Sequence, residues 1–260
     1  MKVVLSTPGR FHTFDLARQL HQRGVLGAVF SGYPWFKLQR EQLPRTQVRT
    51  WPWLQTPYMA VGARVPDGLR REWEWWAHRG LDAHVARSLP ACDVLVAMSG
   101  GGLKSGRRAQ SQGGAYVCDR GSAHIRVQDQ LLRQESERWG IPFAGIDPRV
   151  IEQEEREYAQ ADAITVPSTF SRQSFVAQGV PASRVRLLPY GVDVGRFQPQ
   201  GEPEAHTFDV LYAGGMTLNK GLPYLLQAFA ALVHPAKRLW MAGSPDVAFI
   251  LRMKQLVAQQ

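Results

Sequence analysis

Short apolar runs alternate along this chain with stretches in which apolar residues recur every three or four positions. Val3 to Ser6 reads as a strand that ends at Thr7-Pro8-Gly9-Arg10, and Phe14, Leu16, Ala17, Leu20 and His21 then fall at helical spacing. A second strand is predicted over Val25 to Phe30, a helix over Leu69 to Leu89 and a strand over Val94 to Met98, closing in Ser99-Gly100-Gly101-Gly102. Ala115 to Cys118 is the next strand, and helices follow over Ile125 to Trp139 and Ile151 to Ala161. Ile164 to Val166 and Val185 to Leu188 are strands on either side of a helix that opens at Pro167-Ser168. Past a polar, proline-containing linker come a strand over Phe208 to Ala213, a helix over Lys220 to Val233, a strand over Arg238 to Ala242 and a helix over Asp246 to Gln259. Strands alternating with helices predict an α/β protein with parallel sheets. The linker from Gln198 to Thr207 divides the chain into a first Rossmann-like domain, 1–198, and a partial second one, 207–260.

Composition narrows the class. At 260 residues and 44% hydrophobic the chain can bury one large or two modest cores, and no run of eighteen apolar residues interrupts it. Met1-Lys2 leads straight into a strand, so neither a spanning helix nor a signal peptide is predicted, and a cytoplasmic location is expected. Cys92 and Cys118 both lie on or beside apolar runs, which favours reduced thiols over a disulfide. A net charge of +9 points to an anionic partner: a nucleoside diphosphate, an acidic membrane surface or nucleic acid. From Tyr33 to Trp76 the chain interleaves Trp35, Phe36, Trp51, Trp53, Trp73, Trp75 and Trp76 with Lys37, Arg40, Arg45, Arg49, Arg70 and Arg71. That mixture suits ordinary packing, a carbohydrate-stacking wall, or peripheral contact with the inner face of a membrane. Charge alone speaks for nucleic acid, so no nucleic-acid partner is expected.

The candidate chemistry gathers at strand ends. Gly9 permits close backbone approach to a ligand and Arg10 can reach a phosphate, although a single glycine is not a dinucleotide fingerprint. Gly100 to Gly102 before Lys104 reads as an anion cradle or a flexible connection. Asp119-Arg120-Gly121-Ser122-Ala123-His124 leaves the Ala115 to Cys118 strand at the edge where open parallel sheets collect ligands. Asp119 and His124 are the candidate catalytic groups, with Arg120 beside them; the bland alternative is an Asp119–Arg120 ion pair, a capping Ser122 and a surface His124. Glu152, Glu154, Glu155 and Glu157 read as one solvated helix face and stay outside the site. Gly214-Gly215 and Lys220-Gly221, between a strand and a helix, form an anion site from backbone N–H groups, helix dipole and a full charge. No aspartate pair stands at ligand spacing, so neither a metal nor a cofactor is expected.

Several short motifs occur in a telling order: Val166-Pro167-Ser168, Gly179-Val180-Pro181, Tyr190-Gly191-Val192-Asp193 with Phe197 and Pro199, and Gly214 to Gly221 with Leu225-Leu226-Gln227-Ala228. The series resembles glycosyltransferase family 4, most closely from about Glu154 to Gly243 and more loosely from Met1. The resemblance implies the GT-B fold, two Rossmann-like domains facing a cleft, and transfer of a hexose from a nucleoside-diphosphate sugar to an acceptor hydroxyl with retained configuration. It places the phosphate-binding lysine at Lys220 and the first-domain glycine loop at Gly9, while Gly215 stands where the family often has an arginine; Arg120 or Arg10 could supply that contact. The family's pair of glutamates eight apart would fall past Gln260, so the chain reads as a fragment, expected to be inactive by itself. The acceptor stays open among saccharide, lipid-linked and small-molecule hydroxyls. The alternatives are a sugar-nucleotide epimerase of the same fold and an inactive module that binds membranes or polyanions.

Overall fold

A computed structural model describes residues 1–61, 65–192, 194–195, 197–202, 204, 206–243 and 247–258. The chain divides into two compact units, one of Met1–Asp129 with Ile146–Gly191 and one of Gln130–Gly145 with Val192–Gln260.

The first unit is built on a seven-stranded sheet in the order β3-β2-β1-β4-β5-β6-β7, in which every neighbouring pair is parallel. The strands are β1 (Val3–Thr7), β2 (Leu26–Ser31), β3 (Val48–Thr50), β4 (Val94–Met98), β5 (Ala115–Asp119), β6 (Ala163–Val166) and β7 (Val185–Leu187). Helices α1 (Thr13–Gln22), α2 (Trp35–Leu38), α3 (Gln55–Val61), α4 (Asp67–Ser88), α5 (Leu103–Ser111), α6 (Ile125–Arg138), α7 (Pro148–Gln160) and α8 (Thr169–Ala177) link or cover them, α6 running on into the second unit. Alternate residues of each strand point to opposite faces, so two cores form. Val3, Leu5 and Val29 pack with Phe14, Ala17 and Leu38 on one face. Val4, Leu95, Tyr116 and Ile164 pack with Leu81, Val85, Tyr158 and Phe175 on the other. Burial on both faces explains why the strands read as continuous apolar runs. Strand order reverses between β1 and β4, which makes the carboxyl edge there the expected ligand crevice.

Local chemistry sets several helix starts. Ser168 accepts from the backbone N–H of Ser171 at 3.1 Å and opens α8, which accounts for the Val-Pro-Ser run. Asp147 does the same for α7, with Pro148 at its first turn. Helix α5 has no cap of its own; buried Asp82 of α4 accepts from Lys104 N at 2.8 Å and Ser105 N at 2.9 Å. That long-range cap is invisible in local sequence, and α5, like the short α2 and α3, is a helix that periodicity did not predict.

The aromatic stretch divides. Trp51 stacks on His84, Trp73 donates to the Leu54 carbonyl, and Trp75 lies under the guanidinium groups of Arg79 and Arg149. Phe36, Trp53 and Trp76 are exposed, at 63%, 74% and 58%. No helix among the described residues is long and apolar enough to cross a membrane.

The second unit pairs β8 (Phe208–Ala213) with β9 (Lys237–Ala242) in parallel, with α9 (Leu222–Ala231) and α10 (Val247–Ala258). Its core is Met216, Leu222, Leu226 and Met253, with Ile141, Tyr212 and Leu239 packed against it. Residues 130–145 group with this unit because Trp139 meets Tyr224 edge-on, Arg138 donates to the Tyr224 hydroxyl at 2.7 Å, and Arg252 donates to the Gly140 carbonyl.

Candidate functional site

The carboxyl edge of the first unit's sheet brings together two residues 107 positions apart. His12 stands at the N-terminal cap of α1, just after β1, and its Nε2 lies 2.6 Å from Oδ2 of Asp119, the last residue of β5. The other carboxylate oxygen accepts from the Thr165 hydroxyl of β6 at 2.7 Å, so Asp119 is fixed from both sides. The Tyr190 ring packs 4.2 Å from the imidazole, centroid to centroid. Burial and then the Asp119 charge raise the Tyr190 phenol, so it stays neutral near pH 7. When Nε2–H donates to Asp119, Nδ1 carries the lone pair, and among the described residues nothing bonds to Nδ1. An imidazole held in one tautomer by a carboxylate can take a proton from a hydroxyl at its second nitrogen. His12 carries no motif in the sequence; only its place after the first strand signals it.

Asp119 therefore sits at the edge predicted for it, but its partner is His12. Neither half of the Asp119–Arg120 ion-pair reading holds. Arg120 is buried, ion-paired with Glu154 at 2.9 Å, and donates to the Ala123 carbonyl at 3.0 Å and the Ser99 hydroxyl at 3.2 Å, and also to Gln128. Its guanidinium is committed to the interior. His124 is buried rather than on a helix surface, with Tyr158 and Phe175 rings each 5.0 Å away. Its Nδ1 accepts from the Arg126 N–H at 3.3 Å, and burial pulls the imidazole down to about 4.

The glutamate run also departs from expectation. Glu152 is exposed and Glu155 pairs with Arg126, but Glu154 and Glu157 are buried. Glu157 accepts from Gly100 N at 2.7 Å and Gly102 N at 3.0 Å. Burial pushes this carboxyl up to about 8, against those two donors that favour its charge. The glycine loop after β4 does cradle an acid group, and that group belongs to the protein; the loop is not a flexible connection. Gly102 is also required by packing, since a Cβ there would lie 2.3 Å from the Tyr116 hydroxyl.

Gly9 is buried, and its carbonyl accepts from Ser31 Oγ at 3.2 Å. Arg10 is exposed and ion-paired with buried Glu41, which also takes Arg18 at 2.8 Å. Arg10 lines a pocket of about 570 Å³ with Tyr33, Phe36, Lys37, Gln39 and Arg40.

In the second unit, β8 is followed by Gly214, with φ +154°, and Gly215 is exposed and open where a side chain would be. A 3-10 turn, Leu218–Lys220, precedes α9, which starts at Leu222 rather than at Lys220. Gly221 joins the two at φ +70°, a left-handed conformation that favours glycine. Lys220 is exposed, with no carboxylate partner among the described residues. Asp193 of the Tyr-Gly-Val-Asp run lies outside the described residues. Among those described, no group of three or more His, Cys, Asp or Glu is placed to hold a metal ion.

The family described as Glycosyltransferase Family 4 matches residues 10–196. No curated protein matches the chain at a significant level. Similar solved structures include Anabaena Alr3699/HepE in complex with UDP and glucose, at TM-score 0.61 and 14% identity, covering 100% of this chain and 66% of that one. The lipopolysaccharide outer core galactosyltransferase WaaB, in its apo form, is similar at TM-score 0.51 and 11% identity, covering 100% and 66%. A putative UDP-N-acetylglucosamine 2-epimerase from Listeria monocytogenes is similar at TM-score 0.55 and 11% identity, covering 98% and 66%. At these identities the likeness concerns the fold, which is α/β and GT-B-like as the motifs implied. The chain spans 66% of the length of these structures.

Proposed function

The chain belongs to glycosyltransferase family 4, and from that premise we propose that it serves the transfer of a hexose from a nucleoside-diphosphate sugar to an acceptor hydroxyl. The observation that carries this reading is the His12–Asp119 pair at the carboxyl edge of the first sheet. The acceptor O–H gives its proton to His12 Nδ1 as the new O–C1 bond forms. The bond from C1 to the diphosphate oxygen breaks, and the leaving group departs with the electron pair. Asp119 stabilises the imidazolium that results, as a carboxylate does for histidine bases generally. In the second unit, the Gly214-Gly215 loop, the start of α9 and the Lys220 ammonium offer donors for the diphosphate. Arg120 and His124 are assigned packing roles, because both are buried and the Arg120 guanidinium is held by Glu154 and the Ala123 carbonyl.

HepE is described with UDP and glucose, so UDP-glucose is the first donor to test. The test is incubation of the chain with UDP-glucose and a panel of hydroxyl acceptors, with UDP release and product anomer read by NMR. Retention is the stereochemical outcome that family membership favours. An inverted product that still depends on His12 would remove retention and leave the proton role standing. An epimerase, the second reading, would convert the nucleotide sugar with no acceptor present, and that result would displace the transferase. Calorimetry with UDP, GDP and pyrophosphate tests the second unit separately: a polyanion binder would not discriminate among them.

A further inference from the structure

The Arg10 pocket does no work in the chemistry above, and its lining is one-sided in charge. Arg10, Lys37 and Arg40 face it, and Glu41, the carboxylate nearest in the chain, is buried and already shared by Arg10 and Arg18. Lys37 lies 5.4 Å over the Tyr33 ring and, like Arg40, meets no carboxylate among the described residues. Gln39 Nε2 donates to the Phe36 carbonyl at 2.9 Å, so the donors that the wall has left are mostly its cations. Tyr33 and the 63% exposed Phe36 supply the apolar part. The pocket shares a loop with the His12–Asp119 pair. Arg10 is two residues before His12, Ser31 Oγ ties the Gly9 carbonyl to the Tyr33 N–H, and a Cβ on Gly9 would touch the Tyr33 ring at 3.5 Å.

We propose that this pocket takes the phosphate group of an anionic acceptor, whose hydroxyl is thereby delivered to His12. The inference rests on the reading of the first unit as the acceptor side. A bare phosphate fills a small part of about 570 Å³, so the acceptor is a larger phosphorylated molecule, either a soluble phosphate ester or a phospholipid headgroup. Each unpaired cation gives a charge-assisted contact of the kind whose loss costs about tenfold in affinity.

The test uses the whole chain. Binding of glucose 6-phosphate is measured by calorimetry beside neutral glucose, and binding to vesicles of phosphatidylglycerol and phosphatidylcholine in equal parts is measured by sedimentation beside phosphatidylcholine alone. Both are repeated for Lys37→Ala/Arg40→Ala and for the charge-keeping Lys37→Arg/Arg40→Lys. Saturable binding of the soluble ester, weakened about a hundredfold in the alanine pair and kept in the charge-keeping pair, assigns a soluble acceptor. The same pattern on phosphatidylglycerol vesicles alone assigns a lipid headgroup. Binding of neither, or binding that the alanine pair leaves unchanged, overturns the proposal. Competition by UDP would also overturn it, by making the pocket part of the donor site. UDP affinity of the wild type, measured in parallel, tests the transferase reading independently, since none of the exchanged residues belongs to the Lys220 loop.

Discussion

The two units are built from the same parts, parallel strands and helices, and bury them to very different extents. In the seven-stranded sheet, Leu5, Leu95 and Ile164 are wholly buried, and helices close both faces. In the two-stranded sheet, Leu211 and Trp240 lie directly opposite each other and are 69% and 56% exposed, so one face of β8 and β9 is uncovered. Burial of apolar area is the main stabilising term, so the first unit holds most of the folding energy. The comparison also separates the chemistry: a rigid edge with a fixed imidazole in the first unit, an exposed ammonium on a glycine turn in the second.

The largest expected effect tests that division. His12→Ala and Asp119→Asn should lower transfer by about 10²–10⁴-fold, while the urea midpoint moves little and UDP affinity is kept. Unchanged turnover in both variants would take proton transfer away from the first unit. Next in size, Leu95→Ala should cost about 2–5 kcal/mol in urea unfolding, because it empties a site closed on all sides. Lys220→Ala is expected to weaken UDP binding by roughly tenfold or more with stability unaltered; equal UDP affinity in calorimetry would remove the lysine from the donor site.

Buried titrating groups sharpen the contrast in the first unit. Glu157 sits at about 8 in the fold against an ordinary 4.5, so the folded protein holds that proton where the unfolded chain has lost it. Its contribution to stability is complete below the unfolded value and is lost as pH rises through about 8. His124 runs the other way: at about 4 in the fold against 6.5, its contribution is present above 6.5 and is lost as pH falls toward 4. The expected outcome is a urea midpoint that declines on both sides, with Glu157→Gln flattening the alkaline limb and His124→Asn the acid one. The smallest effect belongs to the uncovered face: Leu211→Ala should change stability by less than about 1 kcal/mol, since the side chain has little burial to lose. A loss as large as that of Leu95→Ala would mean that the β8–β9 face is covered in solution.

Much of the architecture was legible because it is local. Val94–Met98 and Phe208–Ala213 appear as strands with the bounds that their apolar runs predict, and Pro167-Ser168 opens a helix as capping chemistry requires. Helix α5 escaped because its cap, Asp82, comes from another helix. The glutamates of α7 misled for a related reason. Their spacing is that of a solvated face, but Glu154 meets Arg120 and Glu157 meets the loop after β4, and both partners arrive from other strands.

By itself, then, the sequence determined the alternation of strands and helices, the family motifs, the strand-end position of Asp119 and the place of Lys220 between β8 and α9. Periodicity, caps and glycine turns act over a few residues, and that range is what a linear reading resolves. Only the tertiary structure decided that Asp119 faces His12, that Arg120 turns inward to Glu154, and that Lys37 and Arg40 share a wall with Arg10. Those pairings depend on how parallel strands order themselves in the sheet, and strand order is set by the packing of whole faces, which no short stretch of chain encodes.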